Sequence, residues 1–397
     1  MDGVLKLKRE ISDLLRKEEK MWKQRSRALW LHEGDKNTRY FHSRATHRYR
    51  RNKICELRNS EGLMCTKEEE IAQILTNFYQ DLFTSANPCN MDQAMVDIPC
   101  AVTTEMNIML QEVYTRDEVD RAVFQMEALK APGPDGLSPL FFQHYWNIIG
   151  DEVSAAVLNC LNTGSFPQSL NNTFITLIPK VKNPTLVSEF RPISLCNTLY
   201  KIVSKVVANR LKRVLPDIIS ESQSAFQSNK VISDNILVAF ETLHHMKIQK
   251  SKKMGFMALK LDMSKAYDKV EWGFLKKVME KMGFGEKWVK LVMECISTIS
   301  YSILVNEEPK GDIKPSRGIR QDDPLSPYLF LLCSEGLNKL IQAAARADEI
   351  RGFSLCRNGP RISHLFFADD TLLFCRAVMS DLVKIQEILT LYEKASG

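Results

Sequence analysis

The sequence has no C-x-x-C pair. Its ten cysteines are scattered over 397 residues, which excludes a zinc ribbon or a disulfide scaffold and leaves reduced, intracellular thiols as the expectation. No apolar run approaches the roughly 20 residues that cross a bilayer, and the N-terminus is amphipathic and charged where a secretory signal would be apolar. No membrane partner is expected, and the setting that fits is intracellular, nuclear and cytoplasmic. Extremes of composition are missing too: 44% hydrophobic residues and a mean hydropathy of −0.21 describe an ordinary globular chain, long enough for two or three domains. The net charge is only +6, yet the first sixty residues carry 17 Lys and Arg against 8 Asp and Glu, more than the whole surplus. Such asymmetry points to a polyanion partner at that end.

What the chain does have is paired acids in apolar settings. His364-Leu365-Phe366-Phe367-Ala368-Asp369-Asp370-Thr371-Leu372-Leu373-Phe374 reads as strand, tight turn, strand. Side chains alternate along a strand, so Asp369 and Asp370 cannot both point into a core, and adjacent acids at an apolar tip call for a cation. A solvated Asp-Asp turn is the plain alternative unless a second acid joins them. Met257-Ala258-Leu259-Lys260-Leu261-Asp262 offers one, a buried strand ending in an acid. With that strand beside the hairpin, Asp262 and Asp369 reach the same ions, and hard oxygen ligands suit Mg²⁺ rather than zinc. Two such ions roughly 3.5–4 Å apart serve nucleotidyl transfer.

Elsewhere, Val4 to Arg27 has apolar residues at helical spacing amid charges, broken by Gly34-Asp35-Lys36-Asn37. Arg44 to Lys53, with Arg48, Arg50, Arg51 and Lys53, interleaves cations with Tyr40, Phe41 and Tyr49, a composition for phosphate contact and base stacking or for a solvated helix face. A short strand, a Ser60-Glu61-Gly62 turn and a helix over 67–82 follow. Thr115 with Glu118 predicts a capped helix over 115–129. Lys130-Ala131-Pro132-Gly133-Pro134-Asp135-Gly136 is a stiff turn, and 141–163 is helical up to Gly164. Thr176 to Lys180 and Phe190 to Ser194 read as a hairpin. Leu199 to Leu215 is an amphipathic helix with Lys201, Lys205, Arg210, Lys212 and Arg213 outward, Ile219 to Gln227 a loop, and 232–250 and 274–282 helices. Tyr301 to Val305 with Ile313 to Pro315 forms a second hairpin, and a helix runs over 328–347.

These strings together resemble the reverse transcriptase of a non-LTR, LINE-type retrotransposon of the sort abundant in plant genomes. The resemblance runs from about Trp22 to the last residue and is carried by Trp30 to Thr38, Lys130 to Gly136, Phe190-Arg191-Pro192-Ile193-Ser194-Leu195, the Asp262 string and Phe367-Ala368-Asp369-Asp370. It implies an α+β right-hand polymerase, fingers and palm with an antiparallel palm sheet, a thumb largely absent and a helical N-terminal extension. The implied boundaries are a basic linker over 1–110, fingers over 111–250 and palm over 251–397, with the reverse transcriptase domain at about 155–397. The implied activity is RNA-directed DNA synthesis, with dNTPs, an RNA template and a DNA primer as partners and two Mg²⁺ ions, or Mn²⁺ in their place; oligomeric state is left open. Asp262 and Asp369 then bridge the ions, Asp370 supports them and Met263 lends a carbonyl. Lys180 and Arg191 bind the triphosphate, Tyr267 closes the sugar pocket against a 2′-hydroxyl, Gln321 touches the nascent pair, and Arg317 and Arg320 meet backbone phosphates.

Three residues at two sites depart from the family pattern. Asn229-Lys230 stands where Gly-Arg is usual, and Asp322 where Gly is expected. Positive φ at 322 would cost Asp roughly 1 kcal/mol, and its charge beside a triphosphate would lower dNTP affinity. The chain also stops at Ala395-Ser396-Gly397, before the phosphate-facing Lys and helical thumb that the resemblance leads one to expect. The alternative reading is therefore a truncated, catalytically impaired, nucleic-acid-binding relic. A group II intron maturase is a third, which the Trp30 to Thr38 string argues against.

Overall fold

The structure, a computed structural model, describes residues 2–26, 38–227, 230–248, 255–356 and 359–397. The Gly34 to Asn37 break, all of the Trp30 string before Thr38, and Asn229 lie outside the described residues. The fold is mixed α+β with small sheets. In chain order come α1 (Asp2–Ser26), α2 (Thr38–Asn52), β1 (Leu57–Arg58), β2 (Met64–Cys65), α3 (Glu68–Leu82), α4 (Met91–Ala94), α5 (Thr104–Gln111), α6 (Arg116–Phe124) and α7 (Pro139–Thr163). Next are β3 (Asn172–Pro179), β4 (Phe190–Cys196), α8 (Thr198–Ile218), α9 (Ile232–Ile248), β5 (Phe256–Asp262), α10 (Trp272–Met282) and α11 (Glu286–Ser297). The last are β6 (Ser300–Val305), β7 (Glu308–Ile313), α12 (Ser326–Arg346), β8 (Phe353–Ser354), β9 (Arg361–Ile362), β10 (His364–Phe367), β11 (Asp370–Arg376) and α13 (Met379–Ser396).

Local chemistry explains many boundaries. Thr115 and Glu118 form a capping box that starts α6, which stops at Phe124, five residues short of the expectation. Pro139 opens α7 and Gly164, at φ 65, ends it. β3 alternates buried and open residues as a half-buried strand should. The second hairpin differs from expectation: Asn306 and Glu307, at φ 50 and 77, make a tight two-residue turn, so the return strand is Glu308–Ile313 rather than Ile313 to Pro315. Helices α11 and α13 were not anticipated.

The chain divides into two compact units. The first comprises Met1–Leu75, Thr176–Pro192 and Ile303–Lys310; in it α1 and α2 pack together, with the Trp22 and His42 rings 3.6 Å apart. The second comprises Thr76–Ile175, Ile193–Ser302 and Gly311–Gly397 and holds the large apolar core. Fully buried α8, α10, α11 and α12 side chains such as Val207, Phe274, Trp288 and Leu332 fill that core. Against it lies the antiparallel three-stranded sheet β10-β11-β5, and α13 packs on α12. The remaining larger sheet has the order β4-β3-β6-β7. All ten cysteines are free, and no described helix is long and apolar enough to cross a membrane.

Candidate active site

The site is built on one end of the sheet β10-β11-β5. Inward-facing His364 and Phe366 anchor β10, and the register Phe367↔Asp370 leaves a two-residue turn of Ala368 and Asp369. Ala368 takes φ 53, the positive value that a two-residue hairpin turn requires. β5 pairs antiparallel with β11 so that Asp262 stands directly opposite Asp370. Opposed residues share a face with Cβ atoms about 4.5–5.5 Å apart, and Asp369 precedes the pair in the turn. Asp262 thus joins the adjacent Asp369 and Asp370, more than a hundred residues on, at one sheet end. β5 is an edge strand of intermediate exposure, not the buried strand its composition suggested.

Like charges placed opposite one another repel, so the site needs positive charge. The chain supplies one cation itself: Lys260 Nζ lies 3.1 Å from Asp370 Oδ1. Its hydrogen bond to Asp370, reinforced by the charges of Asp370 and Asp262, raises the ammonium above its ordinary pKa. Both partners are well exposed, so this pair holds little free energy and can yield to a stronger cation. Among the described residues no group of three or more His, Cys, Asp or Glu is placed to hold a metal ion. Mg²⁺ does not require such a group, being ordinarily bound by one or two carboxylates with water and phosphate oxygens completing its shell. An open, all-oxygen pair of acids fits a hard divalent ion on that chemistry.

Beside the acids, Tyr267 stacks on Phe330 with centroids 5.1 Å apart, and its carbonyl accepts from Ile319 N at 2.8 Å. Burial, with the Asp369 carboxylate adding, pushes the phenol above its ordinary pKa, which places Tyr267 within electrostatic reach of the turn. Gln321 Nε2 donates to buried Asp268 at 3.0 Å, and its carbonyl accepts from Ser194 N at 3.0 Å. Met263 follows Asp262 and is partly buried. Asp322 has φ 80, the positive value expected for a Gly position, and its carboxylate takes Lys130 Nζ at 2.8 Å. Lys130 belongs to the Pro-Gly turn, which is held down by Lys201 donating to Ala131 O at 2.9 Å. Gly133 of that turn lies so close to the Cys196 backbone that a Cβ would collide with it.

Several cations are not where the sequence suggested. Arg320, expected on a phosphate, is 2% exposed. It donates to Asn171 Oδ1, Thr173 Oγ1 and Cys295 O, lies 3.1 Å from Asp323 and stacks 3.7 Å over the Tyr200 ring. Its fork is consumed by protein acceptors. Arg317 is likewise turned inward, donating to Leu82 O at 2.8 Å and to buried Glu271. Lys201 and Arg210 of α8 are buried rather than outward; Arg210 pairs with Glu118 and covers the Tyr114 ring. Lys205 is half-buried, while Lys212 and Arg213 are exposed.

The other candidates lie in the first unit. Lys180 is exposed, its ammonium on Ser188 O at 3.1 Å, and Arg191 is exposed on the neighbouring strand β4. Arg50, Arg51 and Lys53 are exposed and Arg48 is half-exposed on or just after α2, whose last turn is basic. The sequence reading missed Lys260, although it stands two residues before Asp262 and so on the same face of the strand. It also missed Lys130 as the partner of Asp322 and Gln223 under the acidic turn, for which no local signal exists.

A family profile described as reverse transcriptase (RNA-dependent DNA polymerase) matches residues 178–396. The chain is 28% identical over 375 residues to the "Transposon TX1 uncharacterized 149 kDa protein" of Xenopus laevis, covering 94% of this chain and 28% of that protein. It is 24% identical over 320 residues to the retrovirus-related Pol polyprotein from the type-2 retrotransposable element R2DM of Drosophila melanogaster, covering 77% of this chain and 28% of that protein. It is also 26% identical over 315 residues to the RNA-directed DNA polymerase from the mobile element jockey of Drosophila melanogaster, covering 75% of this chain and 32% of the relative. The chain thus spans about a third or less of each of these relatives.

Proposed function

The chain belongs to the reverse transcriptase family of non-LTR retrotransposons, and from that premise we propose that it extends a DNA primer on an RNA template, using dNTPs and two divalent metal ions. The observation that carries this reading is the register of Asp262 against Asp370, with Asp369 in the turn between the strands. Asp262 and Asp369 would hold the ions, Asp370, now paired with Lys260, would support them, and the Met263 carbonyl would be a further oxygen donor. When bound, the ions supply positive charge at the primer 3′-oxygen and at the departing pyrophosphate. The 3′-hydroxyl releases its proton to solvent as its oxygen bonds to the α-phosphorus and the bond from that phosphorus to pyrophosphate breaks.

Lys180 and Arg191 are assigned to the triphosphate, whose oxygens suit an ammonium and a guanidinium. Tyr267 closes the sugar pocket and Gln321 borders the nascent pair. The basic α2 end, with Arg48, Arg50, Arg51 and Lys53, is assigned to nucleic acid. The boundaries proposed for fingers (111–250) and palm (251–397) belong to the same reading. The alternative of an impaired binding relic drew on Asp322 and on the expected lack of a thumb; the Lys130 contact answers the Asp322 charge and leaves the second ground as it was. Primer extension on an RNA template tests the proposal. Asp369→Asn is expected to lower the rate roughly 100-fold or more, since metal-held charge contributes several kcal/mol. Extension equal to wild type would defeat it.

A further inference from the structure

The loop from Ser220 to Gln227, for which no role was read above, meets β10 at one isolated parallel bridge. Phe366 N donates to Ser222 O at 2.8 Å and Ser224 N to Phe366 O at 3.2 Å, while Asn235 Nδ2 reaches Phe366 O at 2.7 Å. Gln223 pairs in parallel with Phe366 at the edge of the acidic hairpin. Its side chain is 2% exposed and turned toward the turn, where Oε1 accepts from Ala368 N at 3.1 Å and from Ala225 N at 3.0 Å. Two backbone donors converging on one atom fix that atom as the oxygen. Gln223 is itself clamped, its carbonyl accepting from Gln227 Nε2 at 2.9 Å and Lys230 Nζ at 3.0 Å. The family-divergent Lys230 therefore braces this strap.

Ala368 is the turn residue at φ 53, a conformation that costs a residue with a Cβ about 1 kcal/mol and persists where surroundings determine it. Ala368 also fixes the direction in which the next residue, Asp369, leaves the turn. We infer that Gln223 is a positioning residue for the active site: its amide oxygen ties down the Ala368 N–H and so aims the Asp369 carboxylate. The inference rests on the reading of Asp369 as a metal-holding acid. The chemistry makes one distinction testable. Among the described residues Gln223 Nε2 has no hydrogen-bond partner, so the oxygen is the atom used there. Glu in its place keeps the acceptor, and a carboxylate receiving two backbone N–H groups is stabilised in its charged form. Met keeps the length and loses the acceptor.

The experiment compares wild type, Gln223→Met and Gln223→Glu in the full chain by hydrogen exchange over residues 364–376 and by primer extension with Mg²⁺. Gln223→Met is expected to speed exchange at the turn roughly tenfold, as loss of about one hydrogen bond implies, with exchange in α12 unchanged. Its kcat is expected to fall roughly tenfold at constant KM for dNTP, and Gln223→Glu, which keeps the acceptor but adds a negative charge near Asp369, to keep turn exchange within about threefold of wild type. Turn exchange and kcat in Gln223→Met equal to wild type would overturn the inference, as would turn exchange in the Glu variant as fast as in the Met variant. If wild type extends no primer, the proposed function fails, and the exchange comparison alone decides whether Gln223 holds the turn.

Discussion

Asp322 and Lys130 stand 192 residues apart and meet at 2.8 Å beside a Pro-Gly turn. The pair answers the two penalties that an acid at a Gly position carries, since it neutralises the charge and anchors the left-handed backbone. Both side chains are about one-third exposed, so the pair is worth at most about 1 kcal/mol. Asp322→Gly is accordingly expected to change kcat/KM for dNTP by less than about threefold, whereas Lys130→Met, which leaves the acid unpaired, lowers it more. The double variant Lys130→Met/Asp322→Gly should recover toward wild type. Steady-state kinetics of the three variants check this, and independent, additive losses would refute the compensation. Arg320 differs in kind. Arg320→Met leaves Asp323 buried with its cation gone, so the folded state should lose about 3–5 kcal/mol. A denaturant midpoint indistinguishable from wild type would mean that Arg320 does not neutralise Asp323.

At the scale of elements, the hairpin β10–β11 depends on what lies beneath it. His364 opens β10 buried, its Nε2 2.6 Å from Asn338 Oδ1 and its Nδ1 2.9 Å from Ser363 Oγ. Burial, with Lys339 adding, lowers its pKa to about 4, so the folded imidazole stays neutral. The unfolded imidazole takes its proton near 6.5. Between those values the unfolded chain binds more protons, so this contribution is complete above about pH 6.5 and declines as pH falls toward 4. The full effect is roughly 3 kcal/mol. Chemical denaturation at pH 4.5 and 7.5 should show His364→Gln with a shallower pH dependence than wild type by roughly 2–3 kcal/mol. Equal slopes would mean that another group titrates there.

For the molecule as a whole, what could be read in advance was whatever chemistry sits in contiguous strings. The Asp369-Asp370 hairpin, the capping box of α6 and the Gly-terminated α7 each carry their cause within a few residues. α11 and α13 also carry a 3.6-residue apolar pattern, in Trp288, Val289, Val292 and Ile296 and in Ile385, Ile388 and Tyr392, and were legible in principle. β7 was not, because Glu308-Pro309-Lys310-Gly311-Asp312 has no strand character of its own and becomes a strand through its turn and its partner β6. Buried cations escaped for a related reason. Lys201 and Arg210 are spaced like a solvated helix face and Arg320 stands in a basic loop that reads as phosphate-binding, while their acceptors lie at Ala131, Glu118 and Asn171, far away in sequence.

Asp262 and Asp369, brought to one sheet end by two strand pairings, are proposed to hold the same divalent ions. Electron paramagnetic resonance titration of Mn²⁺ into the full chain tests this without relying on polymerisation. Asp262→Asn and Asp369→Asn are each expected to weaken Mn²⁺ affinity by roughly tenfold or more. Affinity unchanged from wild type in either variant would contradict a shared site.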